Sequence, residues 1–345
     1  MSGPLVSIVT PVYNGGAFFR ECVDSVLGQT HRNLRYVIVN NASEDDTLQI
    51  AEEYAARDPR VSVVTNDTLL PPVQNHNKAM SLVTPDAAYC KSLMADDWLY
   101  PDAVERMVAV AAAHPSVGVV CGFGFNGRRV LYEGWPYPAE CVPARDICRA
   151  TLRRALYVFG SSTTQLFRAD LVRKRTPLLV EDTLHEDMEV CFDLLRESDF
   201  AFVHQVVAFV REHEGSLSAE IDALGTVEAA NLAFLKKYGP AFFDADELAA
   251  EWERALGNYY AYLARKGWKA EAEFWDVHRR NLEALGAPLS MTRLVGASAL
   301  ELARWTTNSD RWIHTLRAVR HRLAGRSKTL REDVAAGLRG TKRPR

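Results

Sequence analysis

Apolar positions follow two alternating rhythms over the first 125 residues. Short β-branched runs alternate with stretches in which apolar residues recur at helical spacing. LVSIVTPVY at 5–13 predicts a buried strand. Residues 17–29 predict a helix whose stripe is Phe18, Phe19, Cys22, Val23, Val26 and Leu27. RYVIVN at 35–40 predicts the second strand, and Ser43, with Asp46 three residues on, predicts a capping box opening the next helix. Asp58-Pro59 ends that helix. Further strands are expected at 61–66, 87–96 and 117–125. Helices are expected at 74–83 and from Pro101 onward. Such alternation implies a Rossmann-like α/β fold, a mostly parallel sheet with helices on both faces.

Beyond residue 125 the rhythm loosens. Residues 126–155, rich in Gly, Pro and aromatics, read as a long surface excursion. Strands are expected at 161–168 and 206–211, with an amphipathic helix at 186–198 between them. Strand signals stop near residue 220, and helical patterns dominate afterwards. The expected organisation is a catalytic domain at 1–220 and a C-terminal α-helical extension at 221–345. WIHTLRAVRHRLAGRSKTL, near the end, is basic and amphipathic, with Trp312, Ile313, Leu316, Val319 and Leu323 on one side.

Composition narrows the function classes. With 48% hydrophobic residues and seven Trp the chain can bury a full core, which excludes a disordered protein. The net charge of −3 conceals a split: residues 316–345 carry +8, which leaves −11 on the rest. An acidic body argues against nucleic acid as a partner. No apolar run approaches the roughly 18 residues of a spanning helix. MSGPLVSIVTPVY lacks the basic-then-apolar pattern of a secretory leader, so a cytoplasmic location is expected. Six scattered cysteines without a C-x-x-C pair suit reduced thiols. The basic tail suits either a solvated helix or peripheral contact with anionic lipid at the inner membrane face. Nothing in the sequence sets the oligomeric state.

Open parallel sheets bind ligands at the carboxyl ends of their strands. There the chain places Thr10-Pro11-Val12-Tyr13-Asn14, Asn40-Asn41-Ala42-Ser43 and Met94-Ala95-Asp96-Asp97. No G-x-G-x-x-G follows the first strand, and no P-loop, G-x-S-x-G or H-E-x-x-H occurs. A nucleotide bound here needs its phosphates neutralised by other means, and a divalent cation on carboxylates is the obvious one. Asp96-Asp97 is the best candidate, since adjacent acids repel unless a cation or proton separates them. A helix N-cap is the competing role for that pair.

TPVYNGGAFFRECVDSVLGQTHRNLRYVIVNNASEDDT, MADDWLYPDAVERMV and HEDMEVCFDLLRESDFAFVHQVVAFVREHEGSLS together resemble the family-2 glycosyltransferases of GT-A fold, over residues 5–218. The resemblance implies an inverting transfer of a sugar from a nucleotide-diphospho-sugar donor to a hydroxyl acceptor. It implies that Pro11, Val12, Tyr13, Asn14, Asn41 and Ser43 line the nucleoside pocket, with His76, Asn77 and Lys78 flanking the donor. Asp96 would contact the ribose or sugar. Asp97 would ligate Mn²⁺ or Mg²⁺, with His213 near the metal or diphosphate. Asp187 would be the catalytic base, with Glu186 beside it as a capping or acceptor-site residue. Asn40-Asn41 stands where the family commonly has acids, which leaves the donor base (uridine, thymidine or another) open.

The residue types suit the chemistry. A base must take the acceptor proton, and a Lewis acid must stabilise the departing diphosphate. Backbone N–H groups at a helix start are expected to hold Asp187 ionised. Two other classes compete: a non-catalytic nucleotide-sugar-binding scaffold on this fold, and a sugar nucleotidyltransferase. The latter usually has a basic Gly-rich loop where this chain has VYNGGAFFRE.

Overall fold

The computed structural model describes residues 3–154, 156–181, 185–212 and 225–307. The elements run β1 (Val6–Val12), α1 (Phe19–Leu27), β2 (Leu34–Asn40), α2 (Thr47–Arg57), β3 (Val61–Thr65), α3 (Pro72–Ser81), β4 (Tyr89–Ser92), β5 (Trp98–Leu99) and α4 (Ala103–Ala113). They continue β6 (Val117–Phe125), β7 (Val130–Leu131), β8 (Cys141–Val142), α5 (Ala144–Leu152), β9 (Gln165–Arg168), α6 (Ala169–Arg173), α7 (Glu186–Leu194) and β10 (Asp199–Phe209). Longer helices follow at Val227–Phe242, Ala245–Lys266, Ala272–Ala284 and Met291–Thr307.

One sheet holds the strands in the order β3-β2-β1-β4-β9-β6-β10-β5, with β7 on β6 and β8 on β10. β3, β2, β1 and β4 run parallel, as do β6 and β10. β9 lies antiparallel between β4 and β6, which leaves β6 and β10 running the same way as β1 to β4, so the sheet is mostly parallel as expected, with β9 as an antiparallel insert. The alternation of strand side chains builds a core on each face. Ile8, Tyr36 and Ile38 pack with Phe19 and Val23 of α1, Ile50 of α2 and Met107 of α4. Val9, Val37 and Val39 join the opposite core with Met80 of α3, Cys148 of α5, Phe192 of α7 and Phe234 of the helix at Val227–Phe242. The β-branched runs are thus buried on both faces, which is why they read as continuous apolar stretches.

Several boundaries differ from the sequence reading. α2 begins at Thr47, not at Ser43: Asp45 accepts the Thr47 N–H at 3.0 Å, while Ser43 serves a neighbouring loop. The excursion at 126–155 contains α5, whose Ile147, Cys148 and Leu152 are buried; its apolar stripe is short and hidden among Arg residues. β10 begins at Asp199, well before the expected 206.

Chain contacts gather Met1–Leu256 with Val277–Ala287 as one compact unit. Within it Leu235, Tyr238 and Phe242 belong to the sheet's core, so that unit's packing runs past residue 220. The other unit comprises Gly257–Asp276 and the described residues from Pro288 onward, where the Tyr260 hydroxyl accepts from the Ser290 N–H at 2.7 Å. All six cysteines are free thiols, as expected. Among the described residues no helix is long and apolar enough to cross a membrane. The basic segment at 316–345, with the stripe from Trp312 to Leu323, lies outside the described residues.

Candidate active site

At the carboxyl edge of β1 and β2 two loops clasp each other. Asn14 takes a positive φ of 48° and Ala42 one of 55°. The Asn14 N–H donates to Ser43 Oγ at 3.0 Å, and Asn14 Oδ1 accepts from the Glu44 N–H at 2.9 Å. Gly15 N–H donates to Thr47 Oγ1 at 2.8 Å and Gly16 N–H to Asp45 Oδ2 at 3.1 Å. Pro11 is half-buried, Val12 is buried, and the Tyr13 ring is 44% exposed. Of the residues expected to line a nucleoside pocket, Tyr13 and Asn14 are therefore the exposed ones in this loop.

Asn41 turns inward instead. Its Oδ1 accepts from Asn66 Nδ2 at 2.7 Å and from the Leu70 N–H at 2.9 Å, while its Nδ2 donates to Leu70 O at 2.9 Å. Asn66 also donates to Asn75 Oδ1 at 2.9 Å, while its own buried Oδ1 finds no hydrogen-bond partner among the described residues. On α3, His76 is buried and its pKa is pushed down to about 4 by that burial, so it is a neutral imidazole at pH 7. Asn77 exchanges two hydrogen bonds, 2.8 and 2.7 Å, with the main chain of Leu179, and Lys78 is half-buried.

The two acids after β4 have different surroundings. Asp97 is 4% exposed and both its oxygens accept hydrogen bonds, Oδ2 from Thr163 Oγ1 at 2.6 Å and Oδ1 from the Arg211 N–H at 2.8 Å. Burial pushes the Asp97 carboxyl up to about 7, and the charge of Asp96 adds to the effect. Beneath it lies Lys91, fully buried, donating to Thr163 O and to Ser92 O at 3.4 Å. Burial lowers Lys91 to about 7, against the opposing attraction of Asp97. Asp96 is half-buried, and its main-chain oxygen accepts from Arg211 Nε at 2.9 Å. The Arg211 guanidinium also pairs with Glu21 and lies 4.2 Å from the centre of the Phe18 ring.

Asp187 sits half-buried in the first turn of α7. The helix start supplies one N–H, from Met188 at 2.8 Å to Oδ1. Burial outweighs it: the carboxyl is pushed up to about 7, with the charge of Glu186 contributing. The expectation that helix N–H groups hold Asp187 well ionised is therefore corrected, because desolvation of the charged form is the larger effect. Glu186 is also raised, by burial first and by the charge of Glu189 second.

The segment at Thr163–Gln165 connects the two acidic centres. Thr163 Oγ1 donates to Asp97, and Gln165 Nε2 donates to the main-chain oxygen of Asp187 at 3.0 Å. Thr163, Gln165 and Lys91 were not singled out from sequence, and Arg211 stood out only as the first residue of the R-x-H segment that ends in His213; a lone lysine inside the apolar run YCKSL was the visible signal for Lys91. His213 lies outside the described residues. Among the described residues no three His, Cys, Asp or Glu side chains gather as a metal cluster. A cation here would rest on one carboxylate together with oxygens of its ligand, the arrangement common for Mg²⁺ on phosphates.

Residues 7–174 match the model of Glycosyl transferase family 2. The chain is 34% identical over 255 residues to the uncharacterized glycosyltransferase EpsJ of Bacillus subtilis, which covers 69% of this chain and 72% of EpsJ. Among solved structures it resembles S. aureus TarS 1–349 in complex with UDP-GlcNAc, at a TM-score of 0.62 and 17% identity over 90% of this chain and 92% of that one. It also resembles the mannosyltransferase PcManGT from Pyrobaculum calidifontis in complex with GDP-Man and Mn²⁺, at a TM-score of 0.53 and 16% identity over 89% and 88%. The structural likenesses establish the fold, which is the GT-A fold expected from the sequence.

Proposed function

The chain belongs to glycosyltransferase family 2, and we propose that it performs an inverting transfer from a nucleotide-diphospho-sugar to a hydroxyl acceptor, with Asp187 as base. The acceptor O–H proton passes to the Asp187 carboxylate as the acceptor oxygen forms its bond to the anomeric carbon. The bond from that carbon to the diphosphate oxygen breaks, and the nucleoside diphosphate leaves with the electron pair. A pKa near 7 suits a base that must be ionised yet still accept a proton at neutral pH.

The observation that carries this reading is the Thr163–Gln165 segment, which bonds to both acidic centres. A catalytic base and a diphosphate-binding acid need such a common mount, since small misplacements are costly in rate.

For the cation the assignment moves from Asp97, the sequence expectation, to Asp96. Asp97 is 4% exposed while Asp96 is only half-buried, so Asp96 is the carboxylate we assign to Mn²⁺ or Mg²⁺. The cation would neutralise charge developing on the leaving diphosphate. Asp97 then holds the loop in place. Tyr13 offers its open ring to the nucleoside base. UDP-GlcNAc and GDP-Man, bound by the two structural neighbours, are the first donors to try. In domain terms we keep residues 1–220 as the catalytic part and 221–345 as its helical extension.

The test is a thermal-shift panel of UDP-, dTDP- and GDP-sugars with and without Mn²⁺, followed by donor turnover in wild type, Asp96→Ala and Asp187→Asn. A Mn²⁺-dependent shift with one base and loss of turnover in both variants is expected. Full turnover in Asp187→Asn would remove it as the base.

A further inference from the structure

The helix at Met291–Thr307 carries two stripes with different surroundings. Leu294, Ala297 and Glu301, spaced i, i+3 and i+7, are partly buried and form its packed side. Arg265 pairs with Glu301 at 3.2 Å, and the Ser290 N–H donates to the Tyr260 hydroxyl at 2.7 Å, which fastens the helix to the last turns of Ala245–Lys266. Met291, Val295, Ala299 and Leu302, spaced i, i+4, i+8 and i+11, form the second stripe and are exposed. Met291 and Val295 are each 64% open to solvent and Leu302 is 63%. The arc around this stripe, from Ser298 to Gly296, spans about 160° at 3.6 residues per turn and holds no charged residue. Arg293, Glu301 and Arg304 all fall outside it.

Single exposed apolar side chains are ordinary, but a stripe of them along successive turns of one helix needs a partner. A spanning helix is apolar all round, whereas a helix with one apolar face and low mean hydropathy lies flat in an interface. Charge separates a lipid surface from a second copy of the chain. The segment at 316–345, which begins shortly after this helix, carries +8. Joining two copies through the stripe would bring two such segments together, whereas an anionic bilayer attracts each of them. Trp268 adds to the picture. It is 75% exposed in the turn at Gly267–Lys269 of the same compact unit, directly after Arg265 and Lys266 in the chain. An indole gains from lying where one end is apolar and the other wet.

We propose that the Met291–Val295–Leu302 stripe is a docking surface for an anionic lipid bilayer. The stripe enters the boundary between headgroups and acyl chains, and the cations of the segment that follows pair with lipid phosphates. The two contributions are complementary: the apolar face supplies contact whatever the lipid, and the basic segment makes the binding depend on negative lipid charge. Neither alone gives more than marginal attachment, as with any single weak membrane anchor. No residue of the transfer chemistry takes part in this contact.

The experiment is co-sedimentation of the full chain with vesicles of phosphatidylcholine alone and of phosphatidylcholine with about 30% phosphatidylglycerol. Wild type should sediment with the anionic vesicles and remain in solution with the neutral ones. The triple variant Met291→Gln, Val295→Gln, Leu302→Gln should bind the anionic vesicles at least about tenfold more weakly, because it withdraws several methylenes from the lipid. Its melting temperature should equal that of wild type, since all three side chains are exposed. Leu300→Gln is the control: Leu300 is 63% exposed but lies about 160° around the helix from Leu302, and its loss should leave binding unchanged. No binding to the anionic vesicles, equal binding to the neutral ones, or full binding by the triple variant would each overturn the surface. A dimer in sedimentation velocity that the triple variant dissolves would give the stripe to a second copy. A melting temperature several degrees lower in that variant would give it to the chain's own residues beyond 307. Either result equally overturns the lipid assignment. The measurement uses no donor and no turnover, so its outcome is separate from that of the transfer reading.

Discussion

Asp97 accepts a 2.8 Å hydrogen bond from the backbone N–H of Arg211, 114 positions further along the chain. The bond ties the loop after β4 to the chain just beyond β10, and Arg211 Nε returns a second bond to the main chain of Asp96. Removing the Asp97 carboxylate leaves a backbone donor and the Thr163 hydroxyl without their acceptor, and buried Lys91 without the attraction of that charge. Asp97→Ala should therefore lower stability by about 2–4 kcal/mol in urea unfolding. Asp96→Ala should change stability by less than about 1 kcal/mol, as at an ordinary partly exposed site, yet abolish metal-dependent turnover. An Asp96→Ala protein with intact turnover, beside a stable but inactive Asp97→Ala, would restore the metal to Asp97.

Asp187 predicts opposite pH trends for activity and stability. Transfer needs the ionised carboxylate, so kcat should rise about tenfold per pH unit below the folded pKa of about 7 and level off above it. The folded state holds this proton more tightly than the unfolded chain does. Its contribution to stability is full below the unfolded pKa, near 3.8, and is lost as pH climbs to about 7. Asp187→Asn should remove that slope in denaturation curves and reduce kcat by roughly 10²–10⁴. A pH–rate profile flat from 5 to 8 would exclude this group as the base.

Asn41 should matter to the fold before it matters to a ligand. Asn41→Ala breaks its three bonds to Asn66 and Leu70 and should cost about 1–3 kcal/mol. Asn41→Asp keeps both acceptor bonds but turns the donor to Leu70 O into a second oxygen facing it and buries a charge, so its melting temperature should also fall below that of wild type at pH 7.

Gly160→Ala places a Cβ 2.1 Å from Thr164 Oγ1 at a φ of 71°. Strain and clash together should destabilise the protein by about 2 kcal/mol or more, read as a lower denaturation midpoint with an unchanged slope. Gly257→Ala is the control. It lies inside the helix at Ala245–Lys266, where a Cβ meets nothing within 4 Å, and should be neutral or slightly stabilising.

The amino-acid sequence alone determined the strand–helix order of the first 125 residues, because period-2 and helical spacings are local properties of burial. It also singled out Asp96-Asp97, as adjacent acids at a strand exit, and through the family resemblance Glu186-Asp187. It could not show which acid of Asp96-Asp97 is enclosed. Adjacent residues in a loop point different ways, and only the approach of Thr163 and Arg211 decides that Asp97 is enclosed while Asp96 is not. The wedge of β9 between β4 and β6 was invisible for the same reason: pairing partners are distant in sequence, and a four-residue strand carries no signal of direction. The raised pKa of Asp187 needed the core around it. Composition and periodicity report what a residue buries; what it then touches is set by the packing of segments a hundred residues apart.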